Sequence, residues 1–219
     1  MKLYTYFRSS AAYRVRIALN LKGLQSEHVP VHLLQAEQRS ERYRAVNPAG
    51  LVPALELDNG EVLTQSLAII EWLDERYPEP HRLLPGDVET RARIRAFALT
   101  IACDIHPINN LRVMQYLEAR FGADETARAE WTRHWIALGF SACEAMLEAE
   151  HRAGRGGRFA FGDSPTLADC VLVPQCFNAR RFDLDLGAYP RLAAVEAQCL
   201  KLDAFARAHP LRQPDAPPA

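Results

Sequence analysis

Residues 2–7, Lys-Leu-Tyr-Thr-Tyr-Phe, run into Arg8-Ser9-Ser10-Ala11-Ala12 and then into Tyr13 to Lys22, which carries Val15, Ile17, Ala18, Leu19 and Leu21. The first six residues are a short aromatic and apolar run and predict a strand. The serines are a cap signal, the apolar positions that follow suit a helix, and Gly23 is its stop. The chain therefore opens as a strand handed directly to a helix, with two hydroxyls at the handover.

Further along, residues 27–33 (EHVPVHL) read as a strand that Pro30 confines to a sheet edge. Residues 40–46 form a short helix ended by Asn47-Pro48. Val52 to Leu57, the turn Asp58-Asn59-Gly60 and Glu61 to Leu63 predict a hairpin. Ser66 to Tyr77 is helical, with Leu67, Ile69, Ile70, Leu73 and Tyr77 as its apolar positions. The order is β-α-β-α-β-β-α. Pro78, Pro80 and Pro85 then mark a boundary between a first domain, 1–79, and a second, 87–212. The second reads as all helical: one long helix from Asp87 to about Arg120, bent near Pro107, another from Asp124 to Glu150, a flexible loop over Arg152 to Arg158, and shorter helices at 166–182, 189–199 and 202–208. The tail from Arg212 to Ala219 is expected to be disordered.

The 219 residues are enough to bury a sizeable core, with about 70% of the unfolded surface removed from water. Apolar residues make up 48%, charged residues 24%, and the net charge is -1. This excludes intrinsic disorder for most of the chain and argues against nucleic-acid binding, which needs a basic excess. The five cysteines, Cys103, Cys143, Cys170, Cys176 and Cys199, are odd in number and form no C-x-x-C. A disulfide framework or a thiolate metal site is not expected, and most should serve as small buried apolar residues. The sequence shows neither a signal-peptide run at its start nor a stretch of the ~18 apolar residues a membrane span needs. A reducing cytoplasm is the expected compartment.

Hydroxyls at a helix N-terminus can donate to an anion such as a thiolate, and the free N–H groups and the helix dipole favour the same charge. A plain cap at Ser9 or Ser10 is the simpler reading of the same residues. Val52-Pro53 taken alone is an ordinary turn. Gln65-Ser66 at a helix start offers an amide, a hydroxyl and free N–H groups to a carboxylate. Ser164-Pro165-Thr166-Leu167-Ala168-Asp169 opens an apolar run with S/T-x-x-D, a structural capping box.

The element order resembles the glutathione transferase architecture, an α/β thioredoxin-like N-terminal domain plus an all-α C-terminal domain. Within it, R-S-S-A-A-Y-R-V-R-I-A-L at 8–19 is similar to the zeta-class signature S-S-C-x-W/H-R-V-R-I-A-L, with Ala11 where many members have Cys. The resemblance runs from about residue 1 to 215, including R-Q-P-D at 212–215. It implies a glutathione cofactor and no metal. Ser9, with Ser10 and Ala11, would stand at the glutathione sulfur. A cis Val52-Pro53 would pair with the cysteinyl backbone, Gln65 and Ser66 would take the γ-glutamyl carboxylate, and Gln38 the glycyl end. His106, Asn110 and Arg112, in the polar run from Asp104, would lie by a dimer two-fold and reach the glutathione of the facing subunit. Arg181 would stand at the mouth of the substrate pocket. Arg8 and Arg181 are the candidates for the substrate carboxylate and the charge that develops during reaction.

The implied activity is glutathione-dependent cis–trans isomerisation of maleylacetoacetate to fumarylacetoacetate, in tyrosine and phenylalanine degradation, by a homodimer acting on a small dicarboxylate. Three alternatives stay open: the same chemistry on maleylpyruvate in gentisate degradation, a conjugating or dehalogenating transferase, and a non-catalytic glutathione-binding module.

Overall fold

The first strand and helix lie where the sequence puts them. In this computed structural model, which describes residues 1–217, β1 is Lys2–Thr5 and α1 is Ser10–Leu21. Leu3 and Thr5 of β1 point inward and are fully buried. They are followed by β2 (Glu27–Pro30), α2 (Glu41–Val46), β3 (Ala54–Glu56), β4 (Val62–Thr64) and α3 (Ser66–Arg76). The sheet order is β2-β1-β3-β4. β1 pairs parallel with β2 and antiparallel with β3, and β4 is antiparallel to β3. Pro30 does lie on an edge strand, where its missing N–H costs no ladder bond.

Two compact units are present: Met1–Leu84 together with the segment from Leu200 onward, and Pro85–Cys199. In the first, α1 and α3 supply Val15, Ile17, Ala18, Ile69, Ile70 and Leu73 to the core. Its Pro-rich end is tied down by a buried carboxylate. Asp74 accepts from Leu83 N at 2.6 Å, Leu84 N at 3.1 Å and Lys22 Nζ at 2.7 Å.

The expected single helix over 87–120 is broken. α4 ends at Leu99, a π-helical turn spans Thr100–Ile105, a 3-10 turn spans Pro107–Asn109, and α5 is Leu111–Phe121. Pro107 removes a donor, and Asn110, in extended conformation, restarts the helix by accepting from Arg112 N at 3.2 Å. The polar run therefore occupies a break between helices, not a helix interior. α6 is Glu125–Arg152, α7 Leu167–Arg180 and α8 Pro190–Cys199. In the first turn of α7, Asp169 is fully buried, and its carboxylate accepts from Thr166 N at 2.7 Å, Thr166 Oγ1 at 2.8 Å and Ala160 N at 2.9 Å. Burial pushes its carboxyl upward in pKa, and these hydrogen bonds oppose the shift. The expected flexible loop after α6 is also pinned: Arg155 N donates to Glu150 O at 2.9 Å.

α9 (Asp203–Ala208) packs on α1 in the first unit. The tail expected to be disordered is folded as far as it is described, with a 3-10 turn at Pro210–Arg212 and Gln213 buried. Residues 218–219 lie outside the described residues.

Candidate active site

Register alone brings three sequence motifs to one end of the sheet. Tyr4, near the end of β1, pairs with Ala54, the start of β3, and Ala54 pairs with Thr64, the end of β4. The Arg8–Ser10 turn, Val52-Pro53 and Gln65-Ser66 each leave the sheet at that end.

Ser9 is the N-cap of α1. Its Oγ accepts from Ala12 N at 3.2 Å, and its carbonyl takes the first intrahelical bond from Tyr13 N at 2.9 Å. Capping uses the hydroxyl oxygen as acceptor and leaves its proton to donate, so the cap and a thiolate contact are compatible roles. Ser9 is half-buried and Ser10, the first helical residue, is buried. Ala11 and Arg8 are half-buried, and the Arg8 guanidinium lies 5.9 Å from the Phe7 ring centre.

The Val52-Pro53 bond is cis. Asn47 and Tyr43 hold the loop before it: Asn47 Nδ2 and Tyr43 Oη both donate to the Leu51 carbonyl at 2.7 Å. Burial raises the Tyr43 phenol, keeping it a neutral donor. Among the described residues no backbone hydrogen bond involves Val52, leaving its N–H and C=O for an extended peptide. Gln38 stands beside this loop. Gly50 has φ +61°, and a Cβ there would come within 2.9 Å of the Gln38 carbonyl oxygen. Gln38 is buried, and its Oε1 has no hydrogen-bond partner. A buried orphan acceptor of this kind is costly unless a ligand or water completes it.

Gln65 precedes α3 with φ +68°, a left-handed conformation rare outside glycine. Strain of this kind persists where the surrounding structure enforces it, and it gathers at binding sites. No side chain caps α3, so the N–H groups of its first turn are available to an anion. Beneath them lies Arg14, buried in α1, whose Nη1 donates to Ser66 Oγ at 3.2 Å. The signal for Arg14 was an arginine in the apolar stretch of α1, read only as part of a motif.

In the second unit, His106 and Asn110 are half-buried in the break between α4 and α5, and Arg112 is exposed. The break is gripped by α6. Trp131 Nε1 donates to Ile108 O at 3.0 Å, and Gly139 stands where a Cβ would meet Ile105 Cδ1 and Cγ1 at 2.3 Å. Arg181 is exposed at the C-terminal end of α7, and its Nη1 donates to Asn178 Oδ1 at 3.3 Å. A cavity of about 550 Å³ in this unit lies between α6, α8 and residues 156–160 and includes none of the predicted site residues.

Of the five cysteines, Cys143, Cys170, Cys176 and Cys199 are buried and Cys103 is exposed. Burial pushes the Cys143 thiol up to about 12, and those of Cys176 and Cys199 also upward. No cysteine stands in the Arg8–Ala12 turn, so the turn carries no thiol of its own.

Comparison with known proteins matches residues 3–81 to the glutathione S-transferase N-terminal domain and residues 129–197 to its C-terminal domain. A maleylpyruvate isomerase of a Ralstonia species is 53% identical over 99% of this chain and all of its own length. A maleylacetoacetate isomerase of Pseudomonas aeruginosa is 48% identical over the full length of both. Among solved structures, a holo maleylpyruvate isomerase described as a bacterial zeta-class glutathione S-transferase superposes with a TM-score of 0.95 at 52% identity, covering 99% of this chain and 100% of that one. The maleylacetoacetate isomerase of Methylobacterium extorquens, solved with malonate and glutathione bound, gives 0.92 at 40% identity with both chains fully covered. Taken with the thioredoxin-like sheet, the cis proline and the helical second unit, these matches establish that the chain belongs to the zeta class of the glutathione S-transferase family.

Proposed function

We propose that the protein is a glutathione-dependent isomerase that converts maleylacetoacetate to fumarylacetoacetate, in the breakdown of tyrosine and phenylalanine. The observation that carries this reading is the set of anion- and peptide-binding features at one end of the sheet, with no protein thiol among them. The α1 N-terminus with Ser9, the open Val52 backbone, the orphan Gln38 Oε1 as acceptor for an amide N–H, and the uncapped α3 above Arg14 fit the sulfur, the cysteinyl backbone, the glycyl N–H and the γ-glutamyl carboxylate of one tripeptide.

When bound, glutathione supplies a thiolate that adds to the conjugated cis double bond and leaves once that bond has rotated. The chain's residues make this possible. Ser9 donates its hydroxyl proton toward the sulfur, and the Ser10 and Ala11 N–H groups add the positive end of α1, which lowers the thiol pKa. Arg8 and Arg181 offer bidentate forks to the substrate's carboxylate and to the negative charge that develops on its keto oxygen. His106, Asn110 and Arg112 are assigned to glutathione across a homodimer two-fold. Half-exposed apolar side chains on α5, Tyr116 and Phe121 among them, support a further surface being covered. Among the described residues no helix is long and apolar enough to cross a membrane. The five free cysteines support a reducing cytoplasm.

Maleylpyruvate is the second reading, favoured by the 53% identity to the Ralstonia enzyme. Steady-state turnover of both diacids by the purified protein decides between them. A higher kcat/KM for maleylacetoacetate is the expected result, and a preference for maleylpyruvate would reassign the substrate. Tight glutathione binding without turnover of either would leave the conjugating or dehalogenating transferase and the binding module.

A further inference from the structure

Phe7 is the last residue before the Arg8–Ser9 turn, and charged side chains hold both polar groups of its backbone. Its N–H donates to Asp215 Oδ2 at 2.7 Å, and its carbonyl accepts from Arg16 Nη2 at 2.9 Å. β1 has ended at Thr5, so no sheet neighbour could satisfy these groups. Arg16 is only 2% exposed, and its remaining donors reach Thr5 Oγ1 at 3.0 Å, Tyr6 O at 3.4 Å and Ala208 O at 3.2 Å. Burial pulls its pKa down to about 10, and the negative charge of Asp215 opposes that shift.

Asp215 does not reach Phe7 from a loose tail. Gln213, two residues earlier, is buried, and its Nε2 donates to Arg207 O at 2.8 Å and His209 O at 2.9 Å. Ala216, one residue later, packs on the buried cluster of Tyr6, Phe7, Val31, Tyr43 and Val52. That cluster includes Val52 of the cis bond. The segment is anchored on both sides of the carboxylate.

We propose that Asp215 and Arg16 are positioning residues: they clamp the Phe7 peptide from its two sides and so fix where the Ser9 hydroxyl and the first N–H groups of α1 stand. The inference rests on the reading that this end of α1 takes the glutathione sulfur. The link from clamp to site is short. Ser9 N donates to Tyr6 O at 3.0 Å, closing a turn that contains Phe7, so a rotation of the Phe7 peptide moves Ser9 with it. Hydrogen bonds with one ionised partner are roughly twice as strong as neutral ones, and both clamp bonds are of that kind. A misplacement on the order of 1 Å can cost about 10²-fold in rate, so a turn of this kind needs such restraint.

The test uses the full chain with Asp215→Ala and the near-isosteric Asp215→Asn, which keeps an acceptor oxygen. Four quantities are read: the ultraviolet titration of the bound glutathione thiolate, kcat, affinity for S-methylglutathione, and Tm. Asp215→Ala is expected to raise the bound thiol pKa by about one unit, leaving up to about tenfold less thiolate at a pH below that pKa. The kcat should fall in proportion, while S-methylglutathione, which has no thiol to ionise, binds within about twofold of wild type. Asp215→Asn should show the same pattern more weakly. A purely structural tail would lower Tm and leave the thiol titration of both variants at the wild-type value, and that result overturns the proposal. Ser9→Ala is titrated in parallel. If it leaves the thiol pKa unchanged, the Ser9 assignment fails. The clamp then still stands or falls on the Asp215 titration, because the α1 N–H groups ride on the same turn.

Discussion

Arg14 and Ser66 join two helices that begin at the same end of the sheet: the guanidinium of Arg14, buried in α1, donates to the hydroxyl of the first residue of α3 at 3.2 Å. The bond fixes the Ser66 rotamer and sets a positive charge under a helix N-terminus that no side chain caps. Helix dipole, free N–H groups and guanidinium all favour an anion at that point.

Arg14→Met should therefore weaken glutathione binding by about 1.5–3 kcal/mol, the scale of hydrogen bonds to charged groups. Calorimetric titration measures this directly. Unchanged affinity in a folded variant would remove Arg14 from the account.

Ser9→Ala should reduce turnover at neutral pH by about 10²-fold, or ~2.7 kcal/mol of barrier. It also removes the cap on Ala12 N, so part of any loss of Tm is separate from chemistry. Ser10 is buried as the first residue of α1, and Ser10→Ala should cost less. Kinetics of the two variants side by side show which hydroxyl serves the sulfur. A larger loss in the Ser10 variant would transfer the role.

Gly139→Ala tests how the break between α4 and α5 is held. At an open helix position this change gains up to ~1 kcal/mol in propensity. Here the new Cβ would lie 2.3 Å from two carbons of Ile105, which is itself fully buried. Overpacking costs typically ~1–3 kcal/mol, so net destabilisation is expected. Combining it with Ile105→Ala should cost less than the two single changes added together. Urea unfolding of the four proteins in the cycle gives the coupling, and strict additivity would mean the contact carries no energy.

How much of this was readable beforehand follows the range of each interaction. The α1 start, the hairpin, the edge position of Pro30 and the Thr166–Asp169 box rest on signals within a few residues, and each is present. The helix over 87–120 does break near the bend that Pro107 marks, but the π turn before it has no local sequence mark and the Gly139–Ile105 contact that accompanies it spans two helices. The tail, expected to be disordered, is ordered by a contact of the same kind at greater length: the Asp215–Phe7 bond joins residues 208 apart. At the candidate site, the α1 start, Val52-Pro53 and Gln65-Ser66 are each marked in the sequence, and the sheet register brings them to one end. The contacts that orient them are less legible: those of Arg14 and Asp215 join residues 52 and 208 apart, and those of Tyr43 and Asn47 with Leu51 depend on how the loop before the cis bond folds.

Glu150 gives the stability of the second unit a defined acid limb. Arg155 donates to its two oxygens at 2.9 and 2.7 Å, and this hydrogen bonding holds the carboxyl below its ordinary value of 4.5. The unfolded chain therefore takes up the proton first. The contribution is complete above about pH 4.5 and is lost as pH falls through the lowered value. Glu150→Gln should be less stable than wild type at pH 7, with the gap closing toward pH 3. Denaturant midpoints across that range report it, and a constant gap would place the effect in packing rather than charge.

On the proposed reading, the thiol that drives isomerisation belongs to glutathione and not to the protein. The most direct measurement is the rate of maleylacetoacetate isomerisation by dialysed protein, with and without added glutathione, for wild type and for a variant with all five cysteines replaced by Ser or Ala. Turnover is expected only when glutathione is present, and it should be retained in folded cysteine-free protein. Robust turnover without any added thiol would contradict it.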